Sequence, residues 1–226
     1  MAGSRLAGGS PATSERLGAA VRSPADRFEW VGNHAALDFT NTVDWTSRGL
    51  ESERLRSFDD LVRWALAAGA ISLPEATALG ARAGREPRRA IEALRLAREL
   101  RSEIHEVMTA IARRVPPRQA ALHAFNEAVR SAFSGLSVAW DGGRMVWRRE
   151  DTGTLDLVAH HVAWLAAQLM TSPDKTPIGL CANPECGWLF LDTTKNHSRR
   201  WCGMPDCGPR AKARRYYLRQ RGKERS

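Results

Sequence analysis

Apolar residues recur three and four positions apart over several long stretches, a spacing that predicts a chain built mainly of helices. Ser57 is placed to cap one helix that Gly69 ends, and Ser72 opens another in the capping-box sequence Ser-Leu-Pro-Glu. Prolines at 116 and 117 stop the longest stretch. Three further helices are expected over 87–115, 118–133 and 155–170.

The pattern changes to strict alternation over 137–149. Val138 and Trp140 alternate before the turn sequence Asp-Gly-Gly, and Met145 and Trp147 alternate after it. This arrangement predicts a short β-hairpin. We expect Trp140 and Trp147 to be core residues, together with Trp164 of the helix that follows.

The net charge is concentrated at one end of the chain. Among 226 residues, 43% are hydrophobic and 26% charged, which is ordinary for a globular protein. Residues 1–194 are neutral overall, whereas 195–226 hold 11 Lys and Arg against 2 Asp and Glu, the whole excess of +9. The chain is therefore a neutral body with a cationic C-terminal part rather than a diffusely basic protein.

Residues 1–27 mix Gly, Ser, Ala and Pro with scattered charges and lack the apolar stretch of a signal peptide. No apolar run approaches the ~18–20 residues of a membrane span. We expect 1–27 to be a disordered leader, and the protein to be soluble and cytoplasmic with no membrane partner.

All four cysteines lie within 27 residues, in the pattern C-x4-C-x15-C-x4-C: Cys181, Cys186, Cys202 and Cys207. Two close pairs, each with a proline-containing turn, fit two knuckles that offer four thiolates to one tetrahedral Zn²⁺. Two disulfides or an iron–sulfur cluster are the alternatives. Because four cysteines leave no open coordination position, we expect the metal to stabilise the fold rather than catalyse. His197 is a weaker candidate ligand.

Between the cysteine pairs, 187–192 is a compact apolar run that predicts a strand. Trp188 and Phe190 should lie on one side of it, and Leu189 and Leu191 on the other.

A dense basic segment follows the last cysteine. Pro209 suits the first turn of a helix, and arginines and lysines spread over the positions after it. Nucleic-acid phosphates are the expected partner, and a solvated charged tail is the alternative. The predicted nucleic-acid-binding residues are Lys195, Arg199, Arg200, Arg210, Lys212, Arg214, Arg215 and Arg219.

Residues 181–217 resemble the CGNR zinc-finger family. The matching pieces are the first cysteine pair running into Gly-Trp-Leu-Phe-Leu-Asp, then Ser-Arg-Arg-Trp-Cys-Gly-Met, then Cys-Gly-x-Arg-Ala-Lys-Ala-Arg-Arg-Tyr. In this family the finger follows an ABATE domain, whose opening motif resembles Leu-Asp-Phe-Thr-Asn-Thr at 37–42. The resemblance implies a stress-linked bacterial transcriptional regulator with the four cysteines as zinc ligands and the helix from Arg210 on DNA. Pro209 departs from the family's Asn and puts a polar DNA contact there in doubt.

The expected fold class is mainly α (α+β). A helical N-terminal domain with one small β-hairpin is followed by a small C-terminal four-cysteine zinc-finger module with a basic helix. The expected domains are the leader 1–27, an ABATE-like sensor or dimerisation domain over 28–172, and a CGNR-type zinc finger over 178–221.

Asp38, Asn41 and Asp44 are polar residues in an otherwise apolar segment. They are either the polar lining of a small-molecule pocket or, as we favour, a segment in which Asp38 and Asn41 bond neighbouring backbone and fix its position. No G-x-S-x-G, Walker, G-x-G-x-x-G or H-E-x-x-H motif is present, so we expect no enzyme.

The sequence therefore predicts a transcriptional regulator that binds double-stranded DNA through a structural zinc finger and basic helix. Its body would sense a small-molecule effector or form a homodimer. Two alternatives are an RNA-binding zinc module, and a ligand-binding or catalytic body whose finger contacts proteins.

Overall fold

The computed structural model describes residues 28–46, 49–150, 153–174, 176–203 and 207–209. The expected leader and residues 210–226 of the expected basic helix lie outside this part of the chain. The described helices are α1 (Ala35–Thr40), α2 (Phe58–Ala67), α3 (Leu73–Arg85), α4 (Pro87–Arg113), α5 (Gln119–Ser134) and α6 (Leu157–Thr171). The described strands are β1 (Asp44–Thr46), β2 (Gly49–Glu51), β3 (Leu136–Asp141), β4 (Arg144–Arg149), β5 (Ile178–Leu180) and β6 (Leu189–Leu191).

The predicted cap at Ser57 and the predicted capping box at Ser72 are confirmed, and Ser57 also forms a capping box, with Asp60. Ser57 Oγ accepts the Asp60 N–H at 3.1 Å, and the Asp60 carboxylate accepts the Ser57 N–H at 2.9 Å. The carboxylate of Glu75 likewise accepts the Ser72 N–H at 2.7 Å. Each box pairs two backbone donors that the first turn of a helix leaves without a partner, and so fixes where α2 and α3 begin.

Helix α4 is the longest element, and its buried residues run from Ala90 to Ala110, nearly its whole length. Leu100, Ile104 and Met108 are buried along one face. Ile91 lies off this buried face and is 70% exposed, and Val115, beyond the helix, is 52% exposed. Three/four spacing therefore predicts the helix correctly, but it does not identify which apolar residues near the two ends are buried.

The described strands form three separate antiparallel pairs, β1–β2, β3–β4 and β5–β6. The predicted hairpin is the pair β3–β4, joined by a two-residue turn. Gly142 and Gly143 have φ of 55° and 104°, the left-handed conformations that such a turn requires. The body thus carries a second short pair, β1–β2, besides the predicted one.

The expectation that the hairpin tryptophans belong to the core is wrong. Trp140 is 68% exposed and Trp147 is 41% exposed. The end of the hairpin away from the turn packs on the body, where Arg149 is buried and donates to the carbonyl of Ala132. Trp164 of α6 is half-buried and makes ring contacts with Phe133 and Trp147. Alternation predicts the strands, but it does not say which face is covered.

The main core lies between the helices and includes one residue of the C-terminal part, Leu189 of β6. A second, smaller cluster joins Trp188 and Phe190 to the four cysteines. The C-terminal module is therefore packed directly onto the helical body. None of the described helices combines the length and apolar character needed to cross a membrane.

Candidate metal centre

The four cysteines converge on one point at the edge of the β5–β6 pair. Cys181 follows β5, Cys186 precedes β6, and Cys207 begins the helical residues 207–209. All four are buried, and their sulfurs lie within 4.8 Å of one another. The Sγ of Cys202 is 3.6 Å from that of Cys186 and 3.6 Å from that of Cys207.

This arrangement fits a tetrahedral zinc ion. Zinc–sulfur bonds of ~2.3 Å place the sulfurs of a tetrahedral site about 3.8 Å apart. All four cysteines are free thiols. Hydrogen bonds from the Cys186 and Cys202 thiols lower the pKa of Cys181, and its thiolate in turn raises the pKa of Cys186. A divalent cation takes the place of such shared protons and stabilises all four thiolates.

Backbone and amide hydrogen bonds hold the first knuckle in place. The Cys186 N–H donates to the carbonyl of Asn183 at 3.0 Å, and the Cys181 N–H donates to that of Trp188 at 2.8 Å. The buried Asn183 side chain also donates its Nδ2 to the Sγ of Cys207 at 3.6 Å, joining the two cysteine pairs. Such outer hydrogen bonds orient metal ligands.

Among the described residues, His197 is not part of the cysteine cluster. Its Nδ1 lies 2.9 Å from the carbonyl of Asp192, in the loop that leads to the second cysteine pair.

The predicted two-sided character of β6 is confirmed. Trp188 and Phe190 pack against the cysteines, whereas Leu189 joins the main core and Leu191 packs against it. One face of this strand therefore covers the metal centre, and the opposite face packs on the helical body.

The segment after α1 docks onto this strand. The Asn41 side chain donates to the Leu189 carbonyl at 2.9 Å and accepts the Leu189 N–H at 3.0 Å. The indole N–H of Trp188 donates to the carbonyl of Val43 at 2.9 Å. Such buried, mutually satisfied polar groups fix the position of the module precisely enough to specify one arrangement.

A second contact joins the body to the first cysteine pair. The Trp45 N–H donates to the carbonyl of Cys186 at 3.1 Å. Gly187 has φ of 66°, and a Cβ there would lie 2.4 Å from the Trp45 carbonyl oxygen. Only glycine permits both this conformation and this approach.

His105 of α4 completes that contact. Its ring stacks on Trp45 with centroids 3.8 Å apart and planes 7° from parallel, and its Nε2 lies 2.8 Å from the Gly187 carbonyl. Burial lowers the pKa of His105 to about 4. The ring is therefore neutral at pH 7, and Nε2–H donates to Gly187.

The three residues proposed as a pocket lining are engaged within the protein. Asp38 accepts the Gly32 N–H at 2.7 Å, Asn41 bonds Leu189, and Asp44 forms a 3.1 Å ion pair with Arg54. Two clefts of about 380 and 510 Å³ flank the C-terminal half of α4, and none of the three lines either of them. Asp38 thus bonds nearby backbone, whereas Asn41 bonds a strand 148 residues away and Asp44 bonds a side chain.

The predicted phosphate-binding residues fall into three groups. Lys195 and Arg200 are exposed. The guanidinium of Arg199 instead donates to the carbonyls of Val31 and Cys202, both at 2.7 Å, and lies 4.2 Å above the Phe190 ring. The remaining residues, Arg210, Lys212, Arg214, Arg215 and Arg219, lie outside the described part of the chain.

Sequence reasoning missed the docking residues. Trp45, Arg54 and His105 carry no motif, and Arg54 lies 5.0 Å above the Trp188 ring. The one available signal was the glycine after Cys186, since glycine directly after a ligand marks a close approach or a tight turn.

A helical body docked on a four-thiolate finger defines a zinc-finger protein of two joined parts. Residues 33–173 match the ABATE family model, described as "Putative stress-induced transcription regulator", and residues 178–220 match the CGNR zinc finger. The chain belongs to the ABATE family and carries a CGNR zinc finger, whose four cysteines hold one structural zinc. Neither description names an enzyme. A search of curated proteins finds no significant match.

Proposed function

We propose that this protein is a DNA-binding transcriptional regulator that acts in the bacterial cytoplasm. One observation carries the proposal: a zinc centre anchored on the body stands immediately before a strongly basic segment. Residues 210–226 hold eight Lys and Arg against one Glu. A cationic segment that begins at a fixed point is suited to binding along a phosphate backbone.

The zinc supplies folding free energy to the module. In this proposal, basic side chains of the protein rather than the zinc ion bind the DNA. Exposed Lys195 and Arg200 flank the second cysteine pair and contact phosphates beside those reached by the basic segment. Phosphate contacts position the protein, and any base-edge contact would specify sequence. The phosphate-binding residues proposed in that segment are Arg210, Lys212, Arg214, Arg215 and Arg219.

Arg199 has a different role in this proposal. Its donors are directed at the carbonyls of Val31, Leu191, Trp201 and Cys202, so it links the second cysteine pair to the body. We assign it to anchoring rather than to DNA, because releasing it would leave several carbonyls without a partner.

The test is the salt dependence of binding to labelled duplex DNA, followed by fluorescence anisotropy. Neutralising about seven phosphates gives a slope of log K against log salt of about −6. Changing Arg210, Arg214 and Arg215 together to Ala should reduce that slope by about 3. The matched control changes three exposed body arginines to Ala, removes the same charge, and should leave the slope unchanged: Arg85, Arg88 and Arg113.

A slope near zero, or equal effects of the two triple variants, would contradict the proposal. Competition with structured RNA at the same ionic strength separates the RNA-binding alternative. Preference for duplex DNA supports the proposal, and preference for RNA overturns it. Cys202→Ser should abolish the preference together with the zinc content.

A further inference from the structure

One face of the β3–β4 hairpin is an exposed apolar surface. Trp140 is 68% exposed, Met145 59%, Val138 53% and Trp147 41%. The register pairs Val138 with Trp147 and Trp140 with Met145. Directly paired residues, and residues two apart on a strand, share one face of a sheet, so all four side chains lie on the same face.

The apolar face continues onto the helices. Trp147 contacts the Trp164 ring with centroids 5.7 Å apart, and Trp164 contacts the Phe133 ring at 4.7 Å. Phe133 is itself 40% exposed. We call Phe133, Val138, Trp140, Met145 and Trp147 the hairpin patch. No side chain in the patch carries a charge.

We propose that the hairpin patch is the interface of a homodimer. The exposed parts of its five side chains amount to roughly 500 Å², at the upper end of what a monomeric protein exposes in one patch. A standard interface buries about 800 Å² on each partner. The patch thus supplies the apolar centre of such an interface, and the surrounding rim supplies the rest.

The chemistry of the patch favours a second copy as the occupant. A two-fold contact places the same surface on both partners, which requires a surface that tolerates meeting itself. An uncharged face with two tryptophans meets this requirement because no like charges are brought together. The patch offers no cation to a phosphate and no charge to a charged partner. Tryptophan is also among the residue types enriched at interface centres.

Two strands alone give a hairpin little independent stability. Among the described residues β3 pairs only with β4. Arg149 and Trp147 contact the body in the half of the pair away from the turn, whereas Trp140 and Met145 next to the turn are exposed. Covering the outer face with a second hairpin would bury the tip residues Trp140 and Met145. Dimerisation therefore explains why an apolar hairpin extends beyond the core that it joins.

The test is sedimentation velocity of the zinc-loaded full chain between about 1 and 100 µM. The chain has a mass of 25.0 kDa, and the expected species is a dimer of twice that mass. Trp140→Glu and, separately, Met145→Glu should weaken dimerisation at least ~100-fold, because each places a charge in the apolar centre of the interface. Both residues are exposed in the single chain, so zinc content should not change, and thermal stability should equal that of the wild type at concentrations where the wild type is itself monomeric.

Ile91→Glu is the matched control. Ile91 is 70% exposed on α4, it gains the same charge, and it lies outside the patch, so dimerisation should persist. A monomer at every concentration overturns the proposal. A dimer that resists both hairpin variants, or one that Ile91→Glu disrupts equally, overturns it as well. This inference does not rest on DNA binding.

Discussion

Asn41 supplies both backbone hydrogen bonds of Leu189, one given and one accepted, at 2.9 and 3.0 Å. Its amide thus takes the place of a neighbouring strand for the first residue of β6. Both residues are buried, at 1% and 0% exposure. The segment resembling an ABATE opening motif is therefore the surface on which the zinc finger docks.

Asn41→Ala should destabilise the protein by about 2–4 kcal/mol, since it leaves the buried N–H and C=O of Leu189 without partners at ~1–3 kcal/mol each. Urea unfolding of the zinc-loaded protein measures the loss. Asn126→Ala, on the exposed face of α5, is the control and should change stability by less than ~0.5 kcal/mol. Equal stability of the two variants would show that this amide is not holding the module.

Gly187→Ala should be more harmful than its conformation alone explains. Gly187 and Gly69 have nearly the same φ, 66° and 67°, but a Cβ at Gly69 meets nothing within 4 Å. Gly69→Ala therefore measures the conformational cost alone, about 1 kcal/mol. Gly187→Ala adds a clash with the Trp45 backbone and should cost at least ~2 kcal/mol more. Thermal unfolding of both variants measures the two losses of stability. Equal losses would contradict the close approach of Gly187 to the Trp45 backbone.

Zinc removal should destabilise the helical body as well as the module. Leu189 is part of the main core, and its strand also seals the cysteines. Chelation should release one zinc, make four thiols titratable, and lower the Tm of the whole chain by more than ~5 °C. Calorimetry with and without chelator tests this. A body transition that stays at the same temperature would show that the two parts fold independently.

The local elements were predictable because they depend on near neighbours. The boxes at Ser57 and Ser72, the turn at 142–143 and the two faces of 188–191 all follow from residues a few positions apart. Four cysteines in two close pairs likewise restrict the metal centre to very few arrangements. These features need no knowledge of what lies across the fold.

Contacts between distant segments were not predictable. Asn41 and Leu189 are 148 residues apart, and no residue near Asn41 in the sequence indicates that Leu189 is its partner. Arg199 looks like its basic neighbours in the sequence, but it is the one aimed at the Val31 carbonyl. Trp140 shows the opposite error: an apolar pattern typical of a buried strand occurs on a face that the body leaves exposed. In all three cases the position of the residue in the folded chain decides its partner or its exposure.

Asp38→Asn should stabilise the protein increasingly as the pH rises. Burial raises the pKa of Asp38 to about 7, against the opposing effect of the Gly32 N–H that its carboxyl accepts at 2.7 Å. Between pH ~4 and 7 the folded protein keeps a proton that the unfolded chain releases, so the contribution of Asp38 to stability falls as pH rises through this range. Asparagine keeps an acceptor oxygen for Gly32 without the buried charge.

Urea unfolding of the zinc-loaded wild type and variant at pH 5, 6, 7 and 8 measures the effect. The advantage of Asp38→Asn should grow by roughly 2 kcal/mol between pH 5 and 7 and then level off. Comparing the two proteins at each pH cancels the protonation of the cysteines, which both share. Asp59→Asn removes a carboxylate from the exposed first turn of α2 and should show no such growth. An advantage of Asp38→Asn that is constant across the range would mean that Asp38 keeps its charge when buried, held by Gly32 and the nearby Arg199.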